Sequence, residues 1–134
     1  MGTFHFELVS PEKLVLGKDA ALVNVPGGEG NYGVLPGHAP MITTVRPGVI
    51  EVFEQRNGVV SDRIFVAGGF AEVTQERCTV LAEEAIPVAE LDRAVLQQQS
   101  QDLAEDLGLA KTPGERASVE MKQNLVKAKL AAIE

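Results

Sequence analysis

The amino-acid sequence predicts an α+β protein, in which an N-terminal all-β sandwich or barrel precedes a C-terminal antiparallel hairpin of two helices. Residues 1–86 contain many short apolar runs with a turn signal every few residues, which is typical of all-β folds. Across residues 87–134 the pattern changes, because apolar residues recur there at helical spacing. We therefore predict two domains, residues 1–86 and residues 87–134.

The strands of the first domain are predicted from short apolar runs. Phe4, Phe6 and Leu8 alternate with other residues, which is the two-residue period of a half-buried strand. Further runs rich in β-branched and aliphatic residues predict additional strands. These runs cover residues 14–16, 21–25, 41–45, 49–53, 59–67, 70–73 and 78–82.

Turn signals separate these runs. The Arg-Pro-Gly sequence at 46–48 predicts a turn. The Asn-Gly pair at 57–58 lies between two apolar runs and predicts a tight β-hairpin. The Gly-Gly pair at 68–69 is expected to interrupt a strand, and residues 75–77 are expected to turn the polypeptide into the last one.

The second domain carries signals for two helices. No Gly or Pro interrupts residues 88–107, and Gly108 is expected to be the C-cap of the first helix. The start of the second helix is predicted at residues 112–115. Thr112 is the expected N-cap, Pro113 fits the first helical position and Glu115 completes a capping box. The expected apolar stripes are Leu91, Val95, Leu103 and Leu107, then Ala117, Met121, Leu125, Ala128 and Ala132. Thin, Ala-rich stripes predict a weakly held, movable pair, and a firmly docked hairpin is the alternative.

Composition limits the functions that this protein can have. There are 19 acidic and 12 basic residues, a formal net charge of −7, so nucleic acid is not an expected partner. The single cysteine, Cys78, is predicted to be a small buried strand residue. The N-terminus lacks a signal-peptide pattern, and no apolar run is long enough to cross a bilayer.

No pattern of residues predicts a catalytic, cofactor-binding or metal site. Residues 28–33 match G-x-G-x-x-G, but two prolines follow and cannot open the helix that a dinucleotide site requires. These glycines are expected to form tight turns instead. His38 has no evident orienting acid or nucleophile, and His5, His38 and Cys78 have no metal-ligand spacing. A loop stiffened by Pro and Gly indicates a docking surface. A small-ligand binding module and a hydrolase using His38 remain the alternatives.

Residues 25–40, Val-Pro-Gly-Gly-Glu-Gly-Asn-Tyr-Gly-Val-Leu-Pro-Gly-His-Ala-Pro, are a distinctive stretch. They strongly resemble the signature of the epsilon subunits of bacterial F-type ATP synthases. The resemblance is close over residues 3–86, and from Pro87 onward it rests on length and the two-helix pattern. Further matching segments are 6–12, Thr43, 47–48, 68–73 and 80–83.

This resemblance implies a flattened β-sandwich in the central stalk of the synthase. Such a subunit binds the gamma subunit, rests on the polar loops of the membrane c-ring and turns with the rotor, without catalysing a reaction. By position, the residues that the resemblance places on a c-ring-facing loop are Glu29, Asn31, Tyr32 and His38. Those that it places against gamma are Ser10, His38 and Ala39.

For the helical hairpin the resemblance implies a brake on ATP hydrolysis. In the family the hairpin can rise along gamma, and basic residues of its second helix then meet acidic residues of the catalytic alpha and beta subunits. Here those residues would be Lys122, Lys127 and Lys129. Some relatives bind ATP through Ile/Leu-Asp-x-x-Arg-Ala, but Val95-Leu96 replaces the Arg-Ala pair, so no ATP site is expected. The implied location is the cytoplasmic face of the bacterial inner membrane, reached only through the complex.

Overall fold

The computed structural model describes residues 2–133, and the protein divides into two compact units, residues 1–89 and residues 90–134. Within the described residues, the first unit is built from eight strands and the second from two helices. The predicted α+β class, with strands before helices, is therefore confirmed. The strands are β1 (Phe4–Val9), β2 (Leu14–Ala20), β3 (Leu22–Gly27), β4 (Gly30–Val34), β5 (Met41–Thr44), β6 (Gly48–Phe53), β7 (Asp62–Val73) and β8 (Arg77–Pro87).

The strands follow the order β2-β1-β8-β7-β6-β3-β4, with β5 also paired to β7. Among the described strands, the pair β1–β8 is parallel and the other ladders are antiparallel. Along β1, buried and half-buried residues alternate as predicted. Phe6, Leu8 and Phe65 are fully buried, and each of them stabilises the fold by about 2–3 kcal/mol on leaving water.

The Gly-Gly pair does not end a strand, contrary to expectation. β7 runs without a break through Gly68 and Gly69, whose φ angles are +71° and +123°. On one side of this point β7 pairs with β6 up to Val66, and on the other it pairs with β5 from Phe70. The positive φ angles, which L side chains rarely adopt, let one strand bend from one partner to the next.

The Asn-Gly pair lies in a longer connection than a tight turn. β6 and β7 form the predicted antiparallel pair, but their last partners are Val52 and Asp62, so the loop covers residues 54–61. The Ser61 hydroxyl donates to the Val52 carbonyl at 2.8 Å and closes the loop at its base. Val59, which was predicted to be in a strand, is 87% exposed.

Two helices follow a short 3₁₀ turn, Val88–Glu90: α1 (Arg93–Leu109) and α2 (Pro113–Ile133). Asp92 caps α1 by accepting from the amides of Ala94 and Val95 at 2.9 and 3.2 Å. At α2 the predicted cap is confirmed, because the Glu115 amide donates to Thr112 Oγ1 at 3.1 Å. The return bond of the capping box differs from the expected one, since Glu115 Oε2 accepts from the Lys111 amide.

The end of α1 differs from expectation. The helix continues through Gly108 and ends at Leu109, with Ala110 as its C-cap. The predicted stripe of the first helix is half-buried at Leu91, Leu103 and Leu107, but Leu91 lies before α1, which begins at Arg93 and not at residue 88 as predicted. The buried residue of this helix is Leu96, however, and its neighbour Val95 is 52% exposed.

The apolar stripe of α2 is predicted correctly only toward its end. Leu125 and Ala128 are half-buried and Ala132 is buried, as expected, but Ala117 is exposed and Met121 is 72% exposed. Val126 is buried although the sequence analysis left it out. The further half-buried residues that were not predicted are Val119, Gln123, Lys129, Leu130 and Ile133.

Candidate docking surfaces

The end of the β3–β4 hairpin is shaped by its glycines. Gly27 pairs with Gly30, so Gly28 and Glu29 form a two-residue turn. Gly30 has φ +141°, which favours glycine. A Cβ at Gly28 would lie 2.2 Å from Thr44 Oγ1, so a side chain there would require Thr44 to move. The segment that follows is strand β4, not a helix, and this motif therefore shapes a turn, as the sequence predicted.

A polar network joins this hairpin to β5. The hydroxyls of Tyr32 and Thr43 form a 2.6 Å hydrogen bond. Arg46, just after β5, donates from Nε to the Gly27 carbonyl at 3.0 Å and from Nη2 to Asn31 Oδ1. Partial burial raises the pKa of Tyr32, so the phenol stays protonated and able to donate at neutral pH. Together these groups fix the outline of a cavity of about 470 Å³, lined by residues 27–32 and 41–44.

His38 lies beside this network, in the connection between β4 and β5. Its ring is tilted 39° to the Tyr32 ring, with the centroids 6.5 Å apart, and its Nδ1 lies 2.7 Å from the Ala39 carbonyl oxygen. Gly37, at φ +82°, donates from its amide to the Gln75 carbonyl at 2.9 Å. These bonds hold His38 and the exposed Ala39 in a stiff connection.

The structure brings together the residues of the predicted c-ring-facing loop, but they do not form one loop. Glu29 lies in the β3–β4 turn, Asn31 and Tyr32 lie on strand β4, and His38 lies beyond that strand. Strand β4 was not predicted from the sequence, because four of the eight residues at positions 26–33 are glycines, which are poor strand formers. The predicted set is therefore a strand edge with its flanking turns.

Ser10 lies apart from His38 and Ala39. It follows β1, and its hydroxyl donates to the Lys13 carbonyl at 3.3 Å. Val9, which precedes Ser10, is opposite Leu81 in the parallel pair β1–β8. Leu81 is four residues along β8 from Arg77, a distance of about 13 Å at 3.3 Å per residue. Ser10 lines a separate cavity of about 370 Å³, together with Val9, Pro11, Gly69, Phe70, Leu81, Ala82 and Glu83.

An exposed apolar row crosses the sheet beside Ser10. Phe70 is opposite Leu81, and Leu81 is opposite Val9, which is opposite Leu14 on β2. Phe70, Leu81 and Leu14 are 58%, 53% and 55% exposed, which is unusual for large apolar residues that adjoin one another. This row was not predicted from the sequence. The sequence did contain a signal for this row, because β7 and β8 carry apolar residues on both faces. Only one face of each strand is needed for the core, so the apolar residues of the other face are left exposed.

In the helical unit, Lys122 and Lys127 are exposed and Lys129 is half-buried. All three lie on α2, as predicted. Asp92, the acidic residue of the partial nucleotide motif, serves as the N-cap of α1.

The described residues contain few groups that could bind a metal or act as a nucleophile. Within residues 2–133 there is no cluster of three metal-ligating side chains. Cys78 is fully buried on β8, as predicted, and burial raises the pKa of its thiol to about 12, so it is not a reactive thiolate near neutral pH. Over the same residues, no helix is both long and apolar enough to cross a membrane.

Two family models match the sequence. The model for the ATP synthase, delta/epsilon chain, beta-sandwich domain matches residues 3–88, and that for the C-terminal domain of the ATP synthase epsilon chain matches residues 92–134. Curated relatives named ATP synthase epsilon chain include one from Rhodospirillum centenum, 55% identical, with the match covering 96% of this protein and 90% of the relative. Another, from Paramagnetospirillum magneticum, is 49% identical, and the match covers 96% of both proteins.

Solved structures share the fold. A subunit of the Euglena gracilis mitochondrial ATP synthase (OSCP, F1 and c-ring) matches with a TM-score of 0.86 at 24% identity, covering 100% of this protein and 83% of that subunit. A subunit of the Tetrahymena thermophila mitochondrial ATP synthase central stalk and c-ring matches with a TM-score of 0.67 at 15% identity. This match covers 98% of this protein and 96% of that subunit. Because both family models and the curated relatives span nearly all of the sequence, the protein belongs to the ATP synthase epsilon chain family.

Proposed function

We propose that this epsilon chain is a rotor subunit that links the gamma subunit to the c-ring in the central stalk of an ATP synthase. Family membership makes it a subunit of that complex and not itself the catalyst. The observation that carries the proposal is the match of both units to epsilon-chain models. Its fold relatives come from synthase structures that include the c-ring. The complex couples ion transport to ATP synthesis, and this subunit transmits torque.

The gamma subunit docks on the exposed apolar row. Adjoining large apolar side chains favour a partner that covers them, because each Å² of apolar surface removed from water contributes about 25 cal/mol. Phe70 and Leu81 are central to this row, and Ser10 lies at its border, in the cavity that they share. His38 and Ala39 extend the contact at a second point.

The c-ring polar loops dock at the end of the β3–β4 hairpin. Glu29 and Asn31 are exposed there, and the half-buried Tyr32 and His38 have their ring centroids 6.5 Å apart. The hairpin is tied to β5 by the Tyr32–Thr43 bond, so little conformational entropy is lost when a partner binds. A stiff contact of this kind suits the transmission of torque. The subunit is held at the cytoplasmic face of the inner membrane only through the complex.

The helical unit acts as a brake on ATP hydrolysis. Lys122, Lys127 and Lys129 lie on one helix and complement acidic residues of the catalytic alpha and beta subunits once α2 extends along gamma. The helical unit works without bound ATP, since Val95 and Leu96 replace the motif residues that relatives use and Asp92 is committed to capping.

Reconstitution of a synthase lacking its epsilon chain tests the rotor function. Adding the protein is expected to restore ATP-driven ion pumping and retention of gamma on the c-ring. Phe70→Glu should weaken gamma binding at least tenfold, because it places a charge in an apolar contact. Val59→Glu is the matched control, since Val59 is apolar, more exposed and lies in the β6–β7 loop, outside the row. Unchanged pumping with and without the protein would contradict the proposal.

Deletion of residues 90–134 tests the brake separately. The truncated protein should restore pumping but leave ATP hydrolysis faster than the full-length protein does. Identical hydrolysis rates for the two under all nucleotide conditions would reject the brake and leave the rotor function standing.

A further inference from the structure

Arg46 links the β3–β4 hairpin to the segment after β5, two parts of the sandwich that no strand ladder pairs directly. β5 pairs with β7, whereas β3 and β4 pair with each other and β3 pairs with β6. Between the β3–β4 hairpin and β5 the backbone contacts are at Gly28, whose amide donates to the Thr44 carbonyl at 2.9 Å, and at an isolated bridge from Gly27 to Val45. The hairpin end therefore depends on a few local bonds for its orientation.

The Arg46 side chain reaches two points on that hairpin at once. Its Nε donates to the Gly27 carbonyl before the turn, and its Nη2 donates to Asn31 Oδ1 after it. The Arg46 amide adds a third bond, to the Pro26 carbonyl at 2.9 Å. A guanidinium presents its donors in a fixed planar fork. One side chain thus spans both arms of the turn that carries Glu29.

We propose that Arg46 is a positioning residue, which fixes the orientation of Asn31 and the Glu29 turn for contact with the c-ring. The inference rests on the proposed rotor function and deepens it. Arg46 itself acts through Asn31 and the Gly27 carbonyl. Transmission of torque through a small contact requires that the contact not yield, and a two-point clamp across a hairpin turn supplies this stiffness.

Substitutions at Arg46 separate positioning from charge. Arg46→Ala removes both side-chain bonds, and Arg46→Lys keeps the charge but loses the fork. In the full-length protein, both variants should exchange the Gly28 amide proton about tenfold faster than the unchanged protein, the effect expected when supporting hydrogen bonds are lost. Arg46→Ala and Asn31→Ala should be non-additive in this measurement, because they break the same bond.

Lys18→Ala is the matched control. Lys18 bonds Asp62 at 2.8 Å and Glu54 at 2.5 Å, at the two ends of the β6–β7 loop, so its removal weakens the same unit without touching the hairpin. Gly28 exchange should be unchanged in this variant. Exchange in Arg46→Lys that matches the unchanged protein would overturn the proposal, because charge alone would then suffice.

The reconstituted synthase supplies the functional readout. Arg46→Ala should lower the ratio of ions pumped to ATP hydrolysed at least twofold, with retention on gamma unchanged, whereas Lys18→Ala should leave the ratio intact. An unaltered ratio in Arg46→Ala overturns the positioning role while the rotor function stands. If the unchanged protein itself has no effect on pumping, both the rotor function and this role are overturned.

Discussion

The strand-rich unit and the helical unit differ in how firmly their sequences are committed to a core. In the first, one continuous cluster of buried side chains runs from Phe4 in β1 to Ala82 in β8. In the second, the buried side chains among the described residues are Leu96, Val126 and Ala132. The first unit also needs glycine at fixed backbone positions, whereas the second is regular helix. A stiff unit and a weakly held one are thus joined in one polypeptide, which suits the separate roles of torque transmission and braking proposed for them.

The largest effect is expected from Gly69→Ala in the stiff unit. Gly69 has φ +123°, and a Cβ there would lie 1.9 Å from the Leu81 carbonyl oxygen, which is backbone and cannot move aside. The substitution should lower the free energy of unfolding by about 4 kcal/mol or prevent folding. Urea unfolding followed by far-UV circular dichroism measures this loss.

Gly17→Ala is the control for that experiment. Gly17 also lies in a strand, β2, but its added Cβ would meet only Leu14 side-chain atoms at 3.4 Å or more. The change should stay within about 1 kcal/mol of the unchanged protein. Equal stabilities for the two variants would show that the Gly-Gly bend is not a fixed feature of β7.

Val126→Ala probes the helical unit and should have a smaller, local effect. Removing two buried methyl groups costs about 2 kcal/mol, which is large for a unit with so few buried side chains. We expect faster amide hydrogen exchange along α2 and no change in the strands. Met121→Ala is the control, because Met121 is 72% exposed. If Met121→Ala speeds exchange as much as Val126→Ala does, the face that contains Met121 is the one that packs.

The two kinds of stripe show what the sequence could and could not predict. In the strands, alternation at Phe4, Phe6 and Leu8 has one solution, because the other face is polar or half-exposed. In α2, alanines and larger aliphatic residues are spread around the helix, so the sequence is compatible with two different buried faces. Tertiary packing determines that Val126 is buried and Met121 is exposed. The start of α2 was predicted, because Thr112 caps through a local bond, but the Asp92 cap of α1 was not, and that helix begins at Arg93 and not at residue 88.

Other features depended on distant contacts. The bend at Gly69 is set by the Leu81 carbonyl on β8, and the length of the β6–β7 loop is set by pairing of Val52 with Asp62. Of the proposed docking residues, the hairpin set came from the family resemblance, whereas the glycine and proline pattern alone indicated only a stiff docking loop. Arg46 and the apolar row were not predicted, because each is defined by neighbours on other strands.

Cys78 gives the stability of the stiff unit a dependence on pH in the alkaline range. Burial raises its pKa from 9.0 to about 12 in the folded protein. Above pH 9 the Cys78 thiol loses its proton in the unfolded protein but keeps it in the folded protein. The free energy of unfolding is therefore unaffected by this group below pH 9 and falls as pH rises toward 12. The slope from this group is at most about 1.4 kcal/mol per pH unit. Cys78→Ala should flatten the decline in unfolding free energy above pH 9, and equal slopes would contradict the assignment.

The smallest effect is expected from Gly108→Ala. This substitution tests whether α1 ends at Gly108 or continues beyond it. Gly108 lies within α1, is not among the described glycines with positive φ and has open space where a Cβ would be. Alanine should therefore stabilise α1 by about 1 kcal/mol, and the amide protons near the end of α1 should exchange more slowly. A left-handed C-cap at this position, which the sequence predicted, would give the opposite sign, because a Cβ is strained there. Slower exchange in Gly108→Ala fixes the helix end beyond Gly108, and faster exchange would place it before that residue.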